Sequence, residues 1–310
     1  MVVMVLALTL TACTEEAPNQ AATARTPTCP TPTGDAYAWI PASTFTLGAD
    51  ARYPEEGPPR RVTIPGFWIA RTEVTNAEFA AFVAATGYVT MAERDPPVLP
   101  GAQAEMTLPG SAVFTVPTAA DPRWWSWVPG AEWRHPSGPR TAITGKDREP
   151  VVQIAYEDAL AYARWAGKAL PTEAQWEAAT RSGGADAREP VDAAGTPQAN
   201  YYQGAFPARD LGLDGFASKA AVGCFPADAN GVHDLIGNVW EWTADAVDPE
   251  RNIIKGGSYL CAANYCARYR PAARQFQERG LGTDHIGIRL IDAARSPPPP
   301  SSSPRRRGSI

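Results

Sequence analysis

No run of about 20 apolar residues occurs anywhere in the 310-residue chain, so no segment is long enough to span a bilayer as a helix. Histidine is scarce. His135, His233 and His285 are the full complement, and a three-histidine metal site would need every one. Nor is there an excess of basic charge: 28 Lys and Arg face 33 Asp and Glu, a net charge of −5, which argues against nucleic acid as partner. Also missing are a phosphate loop, a dinucleotide glycine fingerprint, a Gly-x-Ser-x-Gly elbow, a His-Glu-x-x-His helix and any internal repeat.

What is abundant is glycine (26) and proline (31), which predicts a loop-rich chain of short helices and strands. Hydrophobic residues at 44% and charged residues at 20% are ordinary globular values. Residues 1–13 read as an apolar leader ending Leu10-Thr-Ala-Cys13, too short to span, with no Lys or Arg before Arg25. That pattern is similar to a bacterial lipobox, making Cys13 the lipid-anchor candidate and the cell envelope the expected location. Residues 14–35, rich in Ala, Thr and Pro, read as a disordered tether, and 295–310, with four consecutive prolines and the run Arg305-Arg306-Arg307, as a disordered tail. One folded domain, 36–294, remains.

Capping boxes at Thr75-Asn-Ala-Glu78 and Thr172-Glu-Ala-Gln175 predict two helices, the first stopped by Gly87 and the second by Gly183 and Gly184. Helical spacing of Ala159, Tyr162, Ala163 and Ala166 predicts a third over 157–166. Short strand signals stand at 45–47, 61–64, 67–70, 151–154 and 287–290.

Five cysteines are present: Cys13, Cys29, Cys224, Cys261 and Cys266. With Cys13 lipidated, four remain, and an exported protein permits a Cys29–Cys224 disulfide. Cys261-Ala-Ala-Asn-Tyr-Cys266 admits several readings. It could be a structural disulfide, a redox pair, or two thiolates for a soft ion such as Cu(I); zinc would want four ligands, and none stand nearby.

The surroundings of this pair narrow the choice. Lys255-Gly-Gly-Ser-Tyr-Leu-Cys261 through Cys266-Ala-Arg-Tyr-Arg270 resembles the active-site segment of formylglycine-generating enzymes, the sulfatase-modifying factors. The likeness extends to Glu73-Val-Thr-Asn-x-Glu-Phe79, Glu132-Trp-Arg-His-Pro136, Leu170-Pro-Thr-Glu-Ala-Gln-Trp-Glu177 and Gly237-Asn-Val-Trp-Glu-Trp242. It implies an α+β, C-type-lectin-like fold in a single domain with little regular structure. It also implies an oxidase that uses dioxygen to convert the cysteine of Cys-x-Pro-x-Arg, in an unfolded sulfatase polypeptide, to Cα-formylglycine. Cys261 and Cys266 would hold Cu(I) as a bis-thiolate that the substrate thiolate joins. Ser258 and Tyr265 match residues that hydrogen-bond substrate or oxygen, and Trp240 matches an active-site wall residue.

The resemblance implies calcium as well. One set is Asn200 and Asp214 with the carbonyls of Tyr201 and Phe216; the other is Asp234 and Glu241 with the carbonyls of Gly237 and Val239. Oxygen donors of this kind are what Ca²⁺ selects. Departures from the family pattern include Tyr156, Ala169, Glu189-Pro-Val-Asp192 and Ile288. Two other functions compete: a non-catalytic lectin-like module whose cysteines form a disulfide, and a mercaptohistidine-type iron oxidase, which three scattered histidines serve poorly.

Overall fold

The computed structural model describes residues 28–97, 101, 103–180 and 190–299. The leader with Cys13, most of the expected tether, Gly183, Gly184, Glu189 and the tail from 300 onward lie outside the described residues.

The chain opens with β1 (Tyr37–Ile40), β2 (Ser43–Leu47), β3 (Arg60–Ile64) and β4 (Phe67–Ala70). In β2, Phe45 and Leu47 are buried while Thr44 and Thr46 face out, the period of two that a half-buried strand needs. Helix α1 (Asn76–Thr86) follows its predicted cap. Thr75 Oγ1 accepts from the Glu78 amide, Glu78 accepts from the Thr75 amide at 2.8 Å, and Gly87 ends the helix at φ 66°. After β5 (Gly110–Phe114) and β6 (Trp125–Pro129), α2 (Tyr156–Trp165) starts where Asp158 accepts from the Ala155 amide. Helix α3 (Glu173–Thr180) carries the second box, with Gln175 and Thr172 exchanging hydrogen bonds at 2.9 and 3.1 Å. The remaining strands are β7 (Gly204–Ala205), β8 (Arg209–Asp210), β9 (Trp240–Ala246), β10 (Arg251–Lys255), β11 (Arg274–Glu278), β12 (Ile286–Gly287) and β13 (Ile291–Asp292).

Two sheets organise the molecule. In one, β1 and β13 both pair antiparallel with β4, so the beginning and end of the domain share a strand. In the other, the order is β11-β10-β9-β12, and β12 lies parallel to β9. The larger core gathers Phe79, Trp133, Ile154, Tyr162, Trp240, Trp242 and Ile286, with Cys261 among them. Trp242 is wholly buried and still satisfies its indole N–H, which donates to Ile154 O at 2.9 Å. A second core lies between Phe45, Leu47, Phe67, Ile69 and Trp176. Departures from the family pattern are filled by packing: Tyr156 meets Trp242 edge to face, Ile288 is fully buried, and Ala169 exchanges backbone bonds with Ile291.

Four expectations need correction. Residues 151–154 are not a strand. Gln153 adopts φ 61°, which breaks the extended run, and the amides of Val151 and Gln153 donate instead to Val74 O and Thr283 O. Of 287–290 only Gly287 is in a strand, because Arg289 is drawn inside by Glu241. The last part of the expected tether is fastened. Cys29 and Cys224 are joined as a disulfide, Arg148 donates to Cys29 O and Pro30 O, and Arg71 donates to Asp35 O. The start of the expected tail is also held, by an Arg295–Asp35 ion pair and by Trp68 Nε1 donating to Ser296 O.

Candidate active site

The cysteine pair is shaped by its own backbone. Ala262 and Tyr265 exchange N–H···O bonds at 3.0 and 3.1 Å, closing a tight turn on Ala263 and Asn264. The Cys261 amide donates to Ser258 O, and Cys261 O accepts from the Tyr202 amide at 3.0 Å. Cys266 lies at φ 57°, a left-handed conformation that non-glycine residues seldom adopt and that concentrates at functional sites. The result is two free thiols with their Sγ atoms 3.3 Å apart, well beyond the roughly 2.05 Å of a disulfide. Cys261 is buried and Cys266 half-buried.

Their protonation is unequal. Burial pushes the Cys261 thiol up, but the hydrogen bond with Cys266, a backbone bond at Ser258 and the nearby Arg268 charge outweigh it and lower it overall. Cys266 is pushed well up by that same hydrogen bond and by burial. The two thiols are thus shifted in opposite directions, Cys261 down and Cys266 up. Soft donors in this arrangement suit a soft ion, and Cys266 leaves one side open.

Beside Cys266 stands an exposed aromatic wall. Tyr265, 48% exposed, lies flat on Phe206 with ring centroids 4.8 Å apart. Trp124 caps both edgewise, at 5.1 and 5.6 Å. The wall continues from Phe206 to Phe114 to Trp125, which meets His285 at 4.9 Å. The β5–β6 register sets Phe114 opposite Trp125. Tyr265 and Trp125 are the wall's exposed members, and Phe114, Trp124 and Phe206 are half-buried between them. Of these aromatics only Tyr265 was identified from sequence. The Trp124-Trp125 doublet was the available signal, but nothing in its spacing ties it to cysteines 140 residues on.

Ser258 is buried, and its Oγ accepts from the Leu260 amide at 3.2 Å. Trp240 is buried in the same core as Cys261. Of the Trp133-Arg134-His135 tract, Trp133 shares the core with Cys261 and packs on Phe79 of α1, while Arg134 pairs with Glu93 at 2.8 Å. Sequence reasoning also missed the charged frame of the cysteine loop. Arg268 pairs with Glu55, buried Arg270 with buried Glu56 at 2.6 and 2.9 Å, and Arg274 with Glu173 at 3.0 Å.

Among the described residues no group of three or more His, Cys, Asp or Glu side chains could hold a metal ion, so any hard-cation site must lean on carbonyls. The first oxygen set comes together. Asp214 accepts from the amides of Tyr201 and Phe216, and Gln203 Nε2 donates to both Tyr201 O and Asp214 Oδ2. Tyr201 O and Asp214 Oδ2 therefore converge on one point, the one the Gln203 amide occupies, and oxygens of this kind are what Ca²⁺ selects. Adjacent Asn200 instead donates its side-chain amide to Ser218 O and Asn238.

The second set fits less well. Asp234 accepts from the Gly223 amide at 2.6 Å, whereas both Glu241 oxygens are engaged by Arg289 and one also by Trp176. Gly237 and Val239 flank these residues on the turn into β9, and Gly237 packs so tightly on Asn200 that a Cβ would lie 2.2 Å from its carbonyl oxygen. Glu73, not anticipated from sequence, is buried beside Asp234 and Glu241. Burial raises its pKa well above the carboxylate range, and Asp234 adds to that.

Fold and cysteine site together define a class. The sulfatase-modifying factor enzyme 1-like domain matches residues 22–294, and the chain belongs to that family. Within it, the chain is homologous to enzymes that generate formylglycine. It is 45% identical over 290 residues to the formylglycine-generating enzyme of Mycobacterium tuberculosis, covering 81% of this chain and 96% of that one. To the Thermomonospora curvata enzyme it is 41% identical, over 81% of this chain and 91% of the other. Among solved structures, PvdO from Pseudomonas aeruginosa superposes with TM-score 0.56 at 26% identity, covering 82% of this chain and 93% of PvdO.

Proposed function

We propose that this chain is a copper-dependent oxidase that converts the cysteine of a sulfatase Cys-x-Pro-x-Arg segment to Cα-formylglycine with dioxygen. The observation that carries the reading is the free Cys261–Cys266 pair, 3.3 Å apart at the foot of an exposed aromatic wall. A non-catalytic lectin-like module with these cysteines oxidised is disfavoured by the same observation.

Cys261 and Cys266 would hold Cu(I), which when bound supplies a soft, open coordination position for a thiolate and redox access to dioxygen. The chain's own groups do the rest. Both sulfurs must be deprotonated to bind Cu(I), so loading releases protons and weakens in acid. The Arg268 charge favours both anions. The Tyr202 amide, by holding Cys261 O, fixes the first sulfur against the core. Tyr265, Phe206 and Trp124 offer an extended peptide a rigid apolar surface and exclude water beside Cys266. Tyr265 Oη and Ser258 Oγ are the hydroxyls we assign to substrate or oxygen, and Trp240 we assign to the wall of the site.

Calcium at the first oxygen set, with Asp214 as its carboxylate, would fasten the loop that carries Tyr202 and Phe206. We further place the protein in the bacterial cell envelope as a lipoprotein anchored through Cys13. The Cys29–Cys224 disulfide supports an oxidising compartment.

The test is mass analysis of a Cys-x-Pro-x-Arg peptide incubated with copper-loaded protein under air. The aldehyde should form with wild type, and Cys261→Ser and Cys266→Ser should form none and lose tight Cu(I) binding. Aldehyde formation by either variant would refute the reading.

A further inference from the structure

Asn264 sits at the tip of the turn between the two cysteines, exposed, where a solvated side chain is the ordinary outcome. It is not solvated freely. Its Oδ1 accepts from the Phe206 amide and its Nδ2 donates to Phe206 O, both at 3.3 Å. One side chain thereby satisfies the two backbone groups of a single residue, as a neighbouring β-strand would. That residue carries the ring on which Tyr265 lies flat, at an interplanar angle of 7°. Tyr202, four positions before Phe206, is bridged to Ala262, and its ring meets Phe206 edge to face at 5.0 Å. The 202–206 segment and the cysteine loop are thus joined at two points: backbone to backbone at Tyr202, and through Asn264 at Phe206.

We propose that Asn264 is a positioning residue for substrate. It holds Phe206 under Tyr265, and so fixes the wall along which an extended cysteine-containing peptide lies next to Cys266. The inference rests on the oxidase reading only for the identity of that peptide. Asn264 touches neither thiol, so its loss should act on binding and leave copper loading alone. Loss of two partly exposed hydrogen bonds makes about a tenfold effect the expected outcome.

The probe is an inert Ser-x-Pro-x-Arg peptide, whose binding needs no turnover, together with the reactive cysteine peptide. For Asn264→Ala, the dissociation constant and KM should rise about tenfold, with kcat within about twofold and Cu(I) affinity unchanged. Asn264→Asp keeps the acceptor and loses the donor, so it should recover part of the affinity. Hydrogen exchange at the Phe206 amide should quicken in Asn264→Ala, a readout that stands even if no aldehyde forms and the oxidase reading fails. The proposal is overturned if Asn264→Ala binds the inert peptide as wild type does, if it loses copper, or if Phe206 exchange is unchanged.

Discussion

Glu56→Gln should unsettle the whole cysteine loop from 214 residues before Arg270 in sequence and from the other side of a buried ion pair. Arg270 is fully buried, and Glu56 takes two of its bonds at 2.6 and 2.9 Å. The rest of the guanidinium donates to Asp50 O and Ala267 O. Neutralising Glu56 leaves the buried cation with only the half-buried Asp50 carboxylate, 3.5 Å away, as its anion, and breaking such a buried pair costs about 3–5 kcal/mol. Gln keeps one acceptor, so the lower end applies, about 3 kcal/mol. That is a large fraction of the roughly 5–15 kcal/mol that holds a domain together. For a domain of this size it should lower the melting temperature by about 10 °C. Replacing both partners by Met removes the stranded charge and should recover most of the loss. Urea unfolding of the two variants beside wild type measures it. A loss below about 1 kcal/mol for Glu56→Gln, or a double variant no better than the single, would refute the reasoning.

Calcium should raise the melting temperature, because a ligand bound only by the native state stabilises it by mass action, and Asp214→Asn should blunt the response; equal melting with chelator and with calcium would remove the ion from the account. Burial holds Asp158 up to about 6, against hydrogen bonds from the Ala155 and Met91 amides and Tyr88. The folded state therefore binds its proton more tightly than the unfolded state. Its contribution, of order 3 kcal/mol, is complete below about pH 4 and lost as pH rises through about 6. Asp158→Asn should flatten that decline in urea midpoints measured from pH 4 to 7. Reducing the Cys29–Cys224 bond, which closes a loop of 195 residues, should cost up to about 5 kcal/mol, read as a lower melting temperature with reductant and checked by non-reducing peptide mapping.

The three helices were legible because each announces itself locally, through a capping box or a run of helically spaced alanines and a tyrosine. Strands β9, β10 and β11 were not. The first four residues of β9 are all buried, Glu241 and Thr243 included, so the strand shows no alternation to read. Glu241 is admitted there only because Arg289 and Trp176 meet it, a pairing across 48 and 65 residues. The cysteine pair was legible for the opposite reason: its partners lie five residues apart in a recognisable setting. The aromatic wall draws on Phe114, Trp124, Trp125, Phe206 and Tyr265, and no local pattern joins them. Residues 14–35 read as a tether because their composition is that of one; the Cys29–Cys224 pairing was legible from the cysteine count, whereas Arg148, which also holds Cys29, gives no sequence signal.

The ion pair between Asp35 and Arg295, with β1 and β13 zipped to the same strand β4, brings the two ends of the sheet together, and the segment before Asp35 runs on to its fastening at Cys224. This closure forbids trimming: shortening the chain from either side strips a neighbour from β4 and bares its edge. The fold is thus indivisible, a single cassette carried whole or not at all.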